Sequence, residues 1–255
     1  MSAAGPRFDE KLIITLVRTR NPLNIGAVAR AMANFGASQL RLVAPYDLAF
    51  REARSAVGAS ELLANAGVYP SVAEAVADCT LVVGTTAATN RSVSLPLTIL
   101  PEAAPQIADA AHTGKVALLF GSEKRGLANE DMSYCHWLMR IPTTQQSPSM
   151  NLAQSVVVVL YELARTWNES KASAKFEAIP AAESPAKMET LLRLSELMHE
   201  ALDSSSYYSD AATATGAEQL RRLLLRMKLT EANAEILLGM FRQILWKLRL
   251  KPSES

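Results

Sequence analysis

Residues 115–127 read KVALLFGSEKRGL, an apolar run that leads into a short loop bracketed by two glycines. Apolar residues that follow one another without polar alternation are typical of a strand buried on both faces of a parallel sheet. Similar runs occupy Lys11–Val17, Gln39–Val43, Thr80–Gly84 and Trp137–Ile141. The first half of the chain is therefore predicted to contain five buried strands.

Helical patterns separate these strands. Asn24–Phe35 ends at a glycine, Ser71–Asp78 opens on a residue that caps helices well, and Asn151–Trp167 carries apolar residues along one side. Strands that alternate with helices in this way predict an α/β fold, with a mostly parallel sheet covered on both faces.

The second half of the chain reads differently. Residues 168–187 are polar and rich in Ala, Ser and Pro, which predicts a linker between a domain at 1–167 and an all-helical module at 188–255. The module's predicted helices are Met188–Leu202, Glu218–Met227 and a third one capped by Thr230. Seven residues would form the apolar face of that third helix: Ile236, Leu237, Met240, Phe241, Ile244, Leu245 and Leu248.

Composition excludes several classes of protein. The 255 residues are 49% hydrophobic and carry 26 basic and 25 acidic side chains, which disfavours a disordered chain. The longest apolar run, 156–161, is far short of the ~20 residues of a membrane span, so no membrane segment is expected. Cys79 and Cys135 are far apart and the three histidines have no metal spacing. We expect a reduced, cytoplasmic protein with buried cysteines and no metal.

The net charge of +1 at first disfavours a protein that binds nucleic acid tightly. The charge is unevenly distributed, however, because residues 218–251 hold eight basic side chains and three acidic ones. A local basic region at the C-terminal end therefore keeps an RNA partner possible.

Ligands of parallel sheets bind at the carboxyl ends of the strands, so the loops that follow the predicted strands are the candidate sites. The sequence lacks the GxxxxGK[ST] phosphate loop and the GxGxxG dinucleotide motif. Asn24 is expected to cap a helix, Gly26 to permit a close approach, and Asn151 to open a helix whose free N–H groups face a ligand. Ordinary capping explains Asn24 and Ser149 equally well at this point.

Three ordered motifs narrow the choice. They are N-x-G-x-x-x-R (Asn24, Gly26, Arg30), F-G-S-E-x-x-G-L at 120–127, and I-P followed by S-x-S-M-N-L-A-x-S within 141–155. Together they resemble the motifs of the SPOUT class of RNA methyltransferases. With the C-terminal helical module, the chain is most similar to the TrmJ family of tRNA 2′-O-methyltransferases.

This resemblance implies a deep trefoil knot at the C-terminal end of the α/β domain, a homodimer with the active site at the subunit interface, and S-adenosylmethionine as cofactor. Asn24, Gly26, Glu123 and Asn151 would be structural motif residues. The resemblance assigns eight residues to the cofactor: Thr85, Thr86, Ala87, Gly121, Ile141, Pro148, Ser149 and Met150.

The implied reaction is the methylation of a ribose 2′-hydroxyl of tRNA, at cytidine or uridine 32 of the anticodon loop. By resemblance Arg30 and Ser149 lie nearest the chemistry. A guanidinium stays protonated, so Arg30 is expected to clamp a phosphate and polarise the hydroxyl, while Ser149 holds or relays the proton. Arg91, Lys124 and Arg125, together with Arg30, are the expected RNA contacts.

Other functions remain open on the sequence alone. A related enzyme could methylate another tRNA position or ribosomal RNA, although the first strand begins near Lys11 and leaves no room for the N-terminal RNA-binding domain that many such enzymes carry. A second alternative is an RNA-binding module without catalytic activity. A metabolic α/β enzyme is disfavoured, because no phosphate loop, catalytic triad or metal set is found.

Overall fold

The structure is a computed structural model that describes residues 8–46, 60–87, 95–173, 183–208 and 213–250. The chain divides into two compact units, Met1–Glu177 and Ala178–Ser255. The linker and domain bounds expected from the sequence stay a prediction.

The first unit is built on a seven-stranded parallel sheet with the order β3-β2-β1-β6-β4-β7-β5. Its strands are β1 (Leu12–Val17), β2 (Gln39–Val43), β3 (Gly67–Tyr69), β4 (Leu81–Thr85), β5 (Leu97–Ile99), β6 (Val116–Phe120) and β7 (Trp137–Arg140). The predicted α/β parallel sheet is confirmed, and each of the five predicted strands lies within a residue of its observed bounds. The knot stays a prediction.

This strand order brings the predicted ligand loops together. β6 lies between β1 and β4, and β4 in turn pairs with β7. All four strands are parallel, so their carboxyl ends share one edge of the sheet. The loops that follow these four strands, which carry the three motifs, therefore meet at that edge.

Six helices surround the sheet within the described part of the unit. They are α1 (Pro22–Phe35), α2 (Ser60–Ala64), α3 (Val72–Ala75), α4 (Leu100–Thr113), α5 (Asn129–Met132) and α6 (Leu152–Ser173). α6 packs against both α1 and α4. It also continues through Ser173, beyond Trp167, after which the linker was expected to begin, because Glu, Lys and Ala all have high helix propensity.

A continuous apolar core holds sheet and helices together. All six residues of β1 and all five of β6 are buried, as expected for central strands of a parallel sheet. Phe8 and Trp167, near the two ends of the unit, meet edge to face with ring centroids 5.0 Å apart. The core therefore ties the start of β1 to the end of α6.

The sequence patterns miss β3, β5 and α4, and also the short helices α2 and α5. The two strands are edge strands of three residues each, too short to show a pattern. α4 carries Pro101 in its first turn and Pro105 inside the helix, and proline disfavours a helical interpretation. Its six buried residues nevertheless hold it on the core.

The second unit contains three helices, α7 (Met188–Ser204), α8 (Thr213–Met227) and α9 (Glu231–Leu250). α7 packs against both of the others, and Leu194, Leu224 and Leu238 form the core between them. The predicted cap of the third helix is confirmed, since the Thr230 Oγ1 accepts a hydrogen bond from the Asn233 N–H at 3.3 Å.

The apolar face predicted for α9 is only partly correct. Ala234, Leu238 and Leu245 are its buried residues, whereas Ile236, Met240 and Ile244 are exposed. A single helix can bury only one stripe against α7, so the broad face extends beyond the contact.

Two of the basic residues counted within 218–251 have acidic partners, because Arg222 pairs with Glu218 and Arg249 with Glu200.

Candidate functional site

A cavity of about 420 Å³ lies at the shared edge, bounded by residues from the loops that follow β4, β6 and β7. This volume falls within the range of small-molecule sites. All eight residues that the resemblance assigns to a cofactor line it: Thr85, Thr86, Ala87, Gly121, Ile141, Pro148, Ser149 and Met150. The structure thus brings together residues that are up to 65 positions apart, while their role stays a prediction.

The loop Gly121–Leu127 forms one wall of this cavity and depends on its two glycines. The Gly126 N–H donates to the Ser122 carbonyl at 2.8 Å, and Gly126 has a φ of 65°, which favours glycine. A Cβ at Gly121 would lie 2.0 Å from the backbone carbon of Gly126. The glycines thus allow the chain to double back tightly.

A chain of hydrogen bonds joins the three motifs. The Asn24 Nδ2 donates to Glu123 Oε1 at 3.0 Å, and the Asn151 Nδ2 donates to Asn24 Oδ1 at 3.0 Å. Glu123 also accepts the backbone N–H groups of Arg20 and Asn21, at 3.3 and 3.1 Å. The amide and carboxylate side chains therefore fix the loops after β1, β6 and β7 relative to one another.

Two expectations about helix ends require correction. Asn21, and not Asn24, caps α1, because its side chain accepts the Leu23 N–H while Asn24 is already inside the helix and bonded to Glu123. At the start of α6 the predicted cap is confirmed, since the Asn151 Oδ1 accepts the N–H groups of Ala153 and Gln154. These N–H groups are therefore not free for a ligand.

The environment of Glu123 favours its charged form. Partial burial on its own would raise the pKa of Glu123, but the hydrogen bonds from the Asn24 side chain and from backbone N–H groups outweigh it. The pKa consequently lies below the ordinary value for a glutamate. The carboxylate is ionised at neutral pH and holds the loop as an acceptor.

A second cavity of about 940 Å³ adjoins the first. The two share the wall Ser122–Gly126. Its lining includes four cationic side chains, those of Arg18, Arg20, Lys124 and Arg125. Lys124 and Arg125 were predicted as RNA contacts, and the structure puts both on the shared wall. The sequence analysis assigned no role to Arg18 and Arg20, although they follow β1 directly and line this cavity.

The remaining predicted residues lie in different surroundings. Ser149 is at the first cavity, but Arg30 is exposed on α1 and lines neither cavity. A Cβ at Gly26 would have no heavy atom within 4 Å, so the expected close approach is not made within the part of the chain that the structure describes. Arg91 lies outside the described residues.

Three titratable side chains away from the two cavities, those of His136, Cys79 and Cys135, pack within the fold. Burial lowers the pKa of His136 to about 4, and its Nδ1 accepts the Val82 N–H at 3.1 Å as a neutral imidazole. Cys79 and Cys135 are free and buried, as predicted, and desolvation raises the pKa of both thiols. Among the residues described, no three His, Cys, Asp or Glu side chains are grouped as a metal site would need.

None of the helices in the described ranges combines the length and apolarity of a membrane-spanning segment.

Comparison with known proteins gives one consistent family. Residues 11–161 match the sequence model of the SpoU rRNA Methylase family. The chain is 34% identical over 234 residues to the tRNA (cytidine/uridine-2′-O-)-methyltransferase TrmJ of Sodalis glossinidius, covering 91% of this chain and 90% of that protein. Identity to the protein of the same name from Escherichia coli K12 is 33% over 240 residues, covering 92% and 95%.

A solved structure is similar over nearly the same length. The crystal structure of TrmJ from Z. mobilis ZM4 superposes with a TM-score of 0.75 at 34% identity, and the match covers 91% of this chain and 98% of that one. The similarity therefore includes both the sheet domain and the helical module.

Proposed function

The chain belongs to the SpoU rRNA methylase family and to its TrmJ group, and from this premise we propose that it methylates a ribose 2′-hydroxyl of tRNA with S-adenosylmethionine. One observation carries the proposal: the eight residues that the motifs assign to the cofactor line a single cavity. A cavity with a cationic lining adjoins it and suits an RNA backbone.

The residues that line the first cavity offer both the apolar and the polar contacts that S-adenosylmethionine would need. Leu127, Met139 and Leu152 offer apolar surface for a flat aromatic ring, and the hydroxyls of Thr143 and Ser149 offer polar contacts. Gly121 adds backbone surface, because a side chain there would meet the Gly126 backbone. When bound, the cofactor would supply an electrophilic methyl group, with its neutral thioether as the leaving group.

The protein's own contribution is to orient the ribose oxygen and assist the loss of its proton. A sugar hydroxyl is a weak nucleophile, so alignment and proton transfer both lower the barrier. In our proposal the Ser149 hydroxyl accepts a hydrogen bond from the 2′-hydroxyl and relays its proton to solvent, to which Ser149 is exposed. The guanidinium of Arg30 binds the neighbouring phosphate and polarises the 2′-hydroxyl.

We further propose a homodimer, in which Arg30 of one protomer serves the cavity of the other. Arg30 is exposed and lines neither cavity of its own chain. On the same helix Leu23 is 79% exposed, and on α6 Tyr161 is 59% exposed, so the surface of this helix pair offers apolar contacts to a second copy. No heavy atom of the described residues lies within 4 Å of a Cβ built at Gly26, which leaves space for another backbone to approach closely.

A heterodimer tests this arrangement. One protomer carries Arg30→Ala and the other Ala87→Trp, which fills the cavity from an exposed position. Purified through two tags, this heterodimer has one complete site of two if Arg30 acts across the interface, so about half of the wild-type activity should remain. If Arg30 served its own cavity, both sites would be damaged and activity would be lost.

The proposed acceptor is cytidine or uridine 32 in the anticodon loop, which would put the enzyme's action in the cytoplasm with tRNA. The named activity of the relatives supports the nucleotide class, and the cationic second cavity supports RNA binding. Methylation of another tRNA position or of ribosomal RNA is the alternative that the same chemistry allows.

The test compares two tRNA substrates that differ in one atom. Wild-type protein is incubated with labelled S-adenosylmethionine and either unmodified tRNA or tRNA with a 2′-deoxynucleotide at position 32. We expect label in the first tRNA and none in the second. Equal labelling would refute the proposed acceptor, and no labelling of either tRNA, with cofactor binding intact, would favour a binding module.

A further inference from the structure

A buried carboxylate beside the second cavity holds one of the cavity's arginines. The Asp131 side chain on α5 is only 3% exposed and forms an ion pair with the Arg18 guanidinium. The same oxygen, Oδ2, accepts the backbone N–H of Ala128 at 2.7 Å. Because an unpaired buried carboxylate is costly, this pair strongly restrains the position of Arg18.

The backbone of Arg18 is restrained as well. Its φ of 53° lies in the left-handed region, which residues other than glycine seldom adopt. Its N–H donates to the Val43 carbonyl at 2.8 Å. Strained backbone of this kind persists where surrounding structure holds it, and it is common at functional sites.

The Arg18 guanidinium still has donors to offer. Its ion pair uses Nη2, and within the described part of the chain the side chain makes no other hydrogen bond. The side chain is 45% exposed and lines the second cavity. A guanidinium presents five N–H donors in a planar fork, which matches the geometry of phosphate oxygens.

The neighbours of Arg18 favour an anionic ligand. Arg20, Lys124 and Arg125 line the same cavity and form no ion pair with any residue that the structure describes. Glu123 and Glu130 are the acidic residues of the lining, and Glu123 is occupied by the N–H groups of the β1 loop. The second cavity, which adjoins the first, therefore has a surplus of positive charge.

We propose that Arg18, oriented by Asp131, binds a phosphodiester group adjacent to the acceptor nucleotide of the RNA. This inference rests on the proposed function and adds to it a binding residue and the group that positions it. The competing explanation is structural: the ion pair would only tie the β1 loop to α5. A purely structural pair would not sense the charge of an RNA phosphate.

The first experiment measures tRNA affinity against salt concentration for wild type, Arg18→Gln and Lys115→Gln. Lys115 is the matched control, since its side chain is also 45% exposed and paired with an aspartate, but it precedes β6 at the opposite edge of the sheet. Loss of one phosphate contact should reduce the slope of log K against log salt by about 0.7 in Arg18→Gln. Lys115→Gln should retain the wild-type slope.

The second experiment removes the charge from the RNA instead. Methylphosphonate linkages are introduced one at a time on either side of the acceptor nucleotide in an anticodon stem-loop. Wild type should lose about tenfold in affinity at the linkage that Arg18 contacts, whereas any loss caused by the Arg30 contact should be the same in wild type and Arg18→Gln. Arg18→Gln should lose nothing further at that linkage, because its partner is already absent. Arg18→Lys retains a charge and should restore the salt slope.

The outcomes separate this inference from the proposed function. If wild type methylates tRNA and Arg18→Gln shows the wild-type slope and the wild-type loss at both linkages, Arg18 is structural and the inference is wrong. If Arg18→Gln does not fold, Arg18→Gln combined with Asp131→Asn replaces it in the same comparison, because the double variant leaves no unpaired charge in the buried position. Failure of wild type to methylate tRNA would instead refute the proposed function.

Discussion

Replacing Gly121 with alanine should damage the wall between the two cavities. The added Cβ would lie 2.0 Å from the Gly126 carbonyl carbon and 2.1 Å from the Leu127 nitrogen. Both are backbone atoms, so no side-chain rotation relieves the clash. Ordinary contact begins near 3.4 Å, and the difference of 1.4 Å (3.4 minus 2.0) must come from displacement of the 126–127 backbone.

The magnitude follows from what that displacement breaks. Overpacking of this kind costs about 1–3 kcal/mol, and loss of the hydrogen bond from the Gly126 N–H to the Ser122 carbonyl adds about 1 kcal/mol. We expect Gly121→Ala to lower the free energy of unfolding by about 2–4 kcal/mol. Because the displaced segment lines the first cavity, affinity for S-adenosylmethionine should fall at least about tenfold, which corresponds to about 1.4 kcal/mol.

Urea unfolding and calorimetric titration with S-adenosylmethionine measure the two effects. Gly239→Ala is the matched control, because a Cβ there would meet no atom of the described residues within 4 Å and the residue lies inside α9. That substitution should stabilise its helix by about 0.5–1 kcal/mol and leave cofactor affinity unchanged. A Gly121→Ala protein with wild-type stability and wild-type affinity would refute this account of the loop.

Three further predictions concern other residues. Asn24→Asp puts a carboxylate about 3.0 Å from Glu123 Oε1, so it should lower the free energy of unfolding more at pH 7 than at pH 5. Urea unfolding at the two pH values measures the effect, and equal effects would count against the hydrogen bonds that join the three motifs. The pKa of His136 is about 4 in the folded protein, against an ordinary value of 6.5. Between these two pH values the unfolded chain binds a proton at His136 that the folded protein does not. The free energy of unfolding should therefore drop by up to about 3 kcal/mol as the pH falls from 6.5 to 4. His136→Gln should show a weaker drop in the same titration. Arg30→Ala should abolish methyl transfer with nearly unchanged affinity for S-adenosylmethionine, and an active variant would overturn its assigned role.

The parts of the fold that sequence predicts are those encoded locally. Val116–Phe120 is recognisable as a buried strand because all five residues are apolar and all are buried. Thr230 is recognisable as a cap because the hydrogen bond that it accepts comes from three residues away. The loops of the site are predictable for a related reason, since their motifs follow central strands whose carboxyl ends meet.

The parts that escape prediction depend on partners distant in the chain. Arg18 and Asp131 are 113 positions apart, so no spacing rule joins them. Asn24 looks like a helix cap in sequence, and only its contacts with Glu123 and Asn151 show that it connects loops instead. The three-residue strand β5 is held by pairing with β7 and has too few residues to show periodicity of its own.

Mass spectrometry of nucleosides is the most direct test of the central claim. Unmodified tRNA is incubated with the protein and methyl-labelled S-adenosylmethionine, and then digested to nucleosides and, separately, to fragments that locate the label. The account predicts labelled 2′-O-methylcytidine or 2′-O-methyluridine from one anticodon-loop position. A labelled methyl group on a base, or no labelled nucleoside at all, would contradict it.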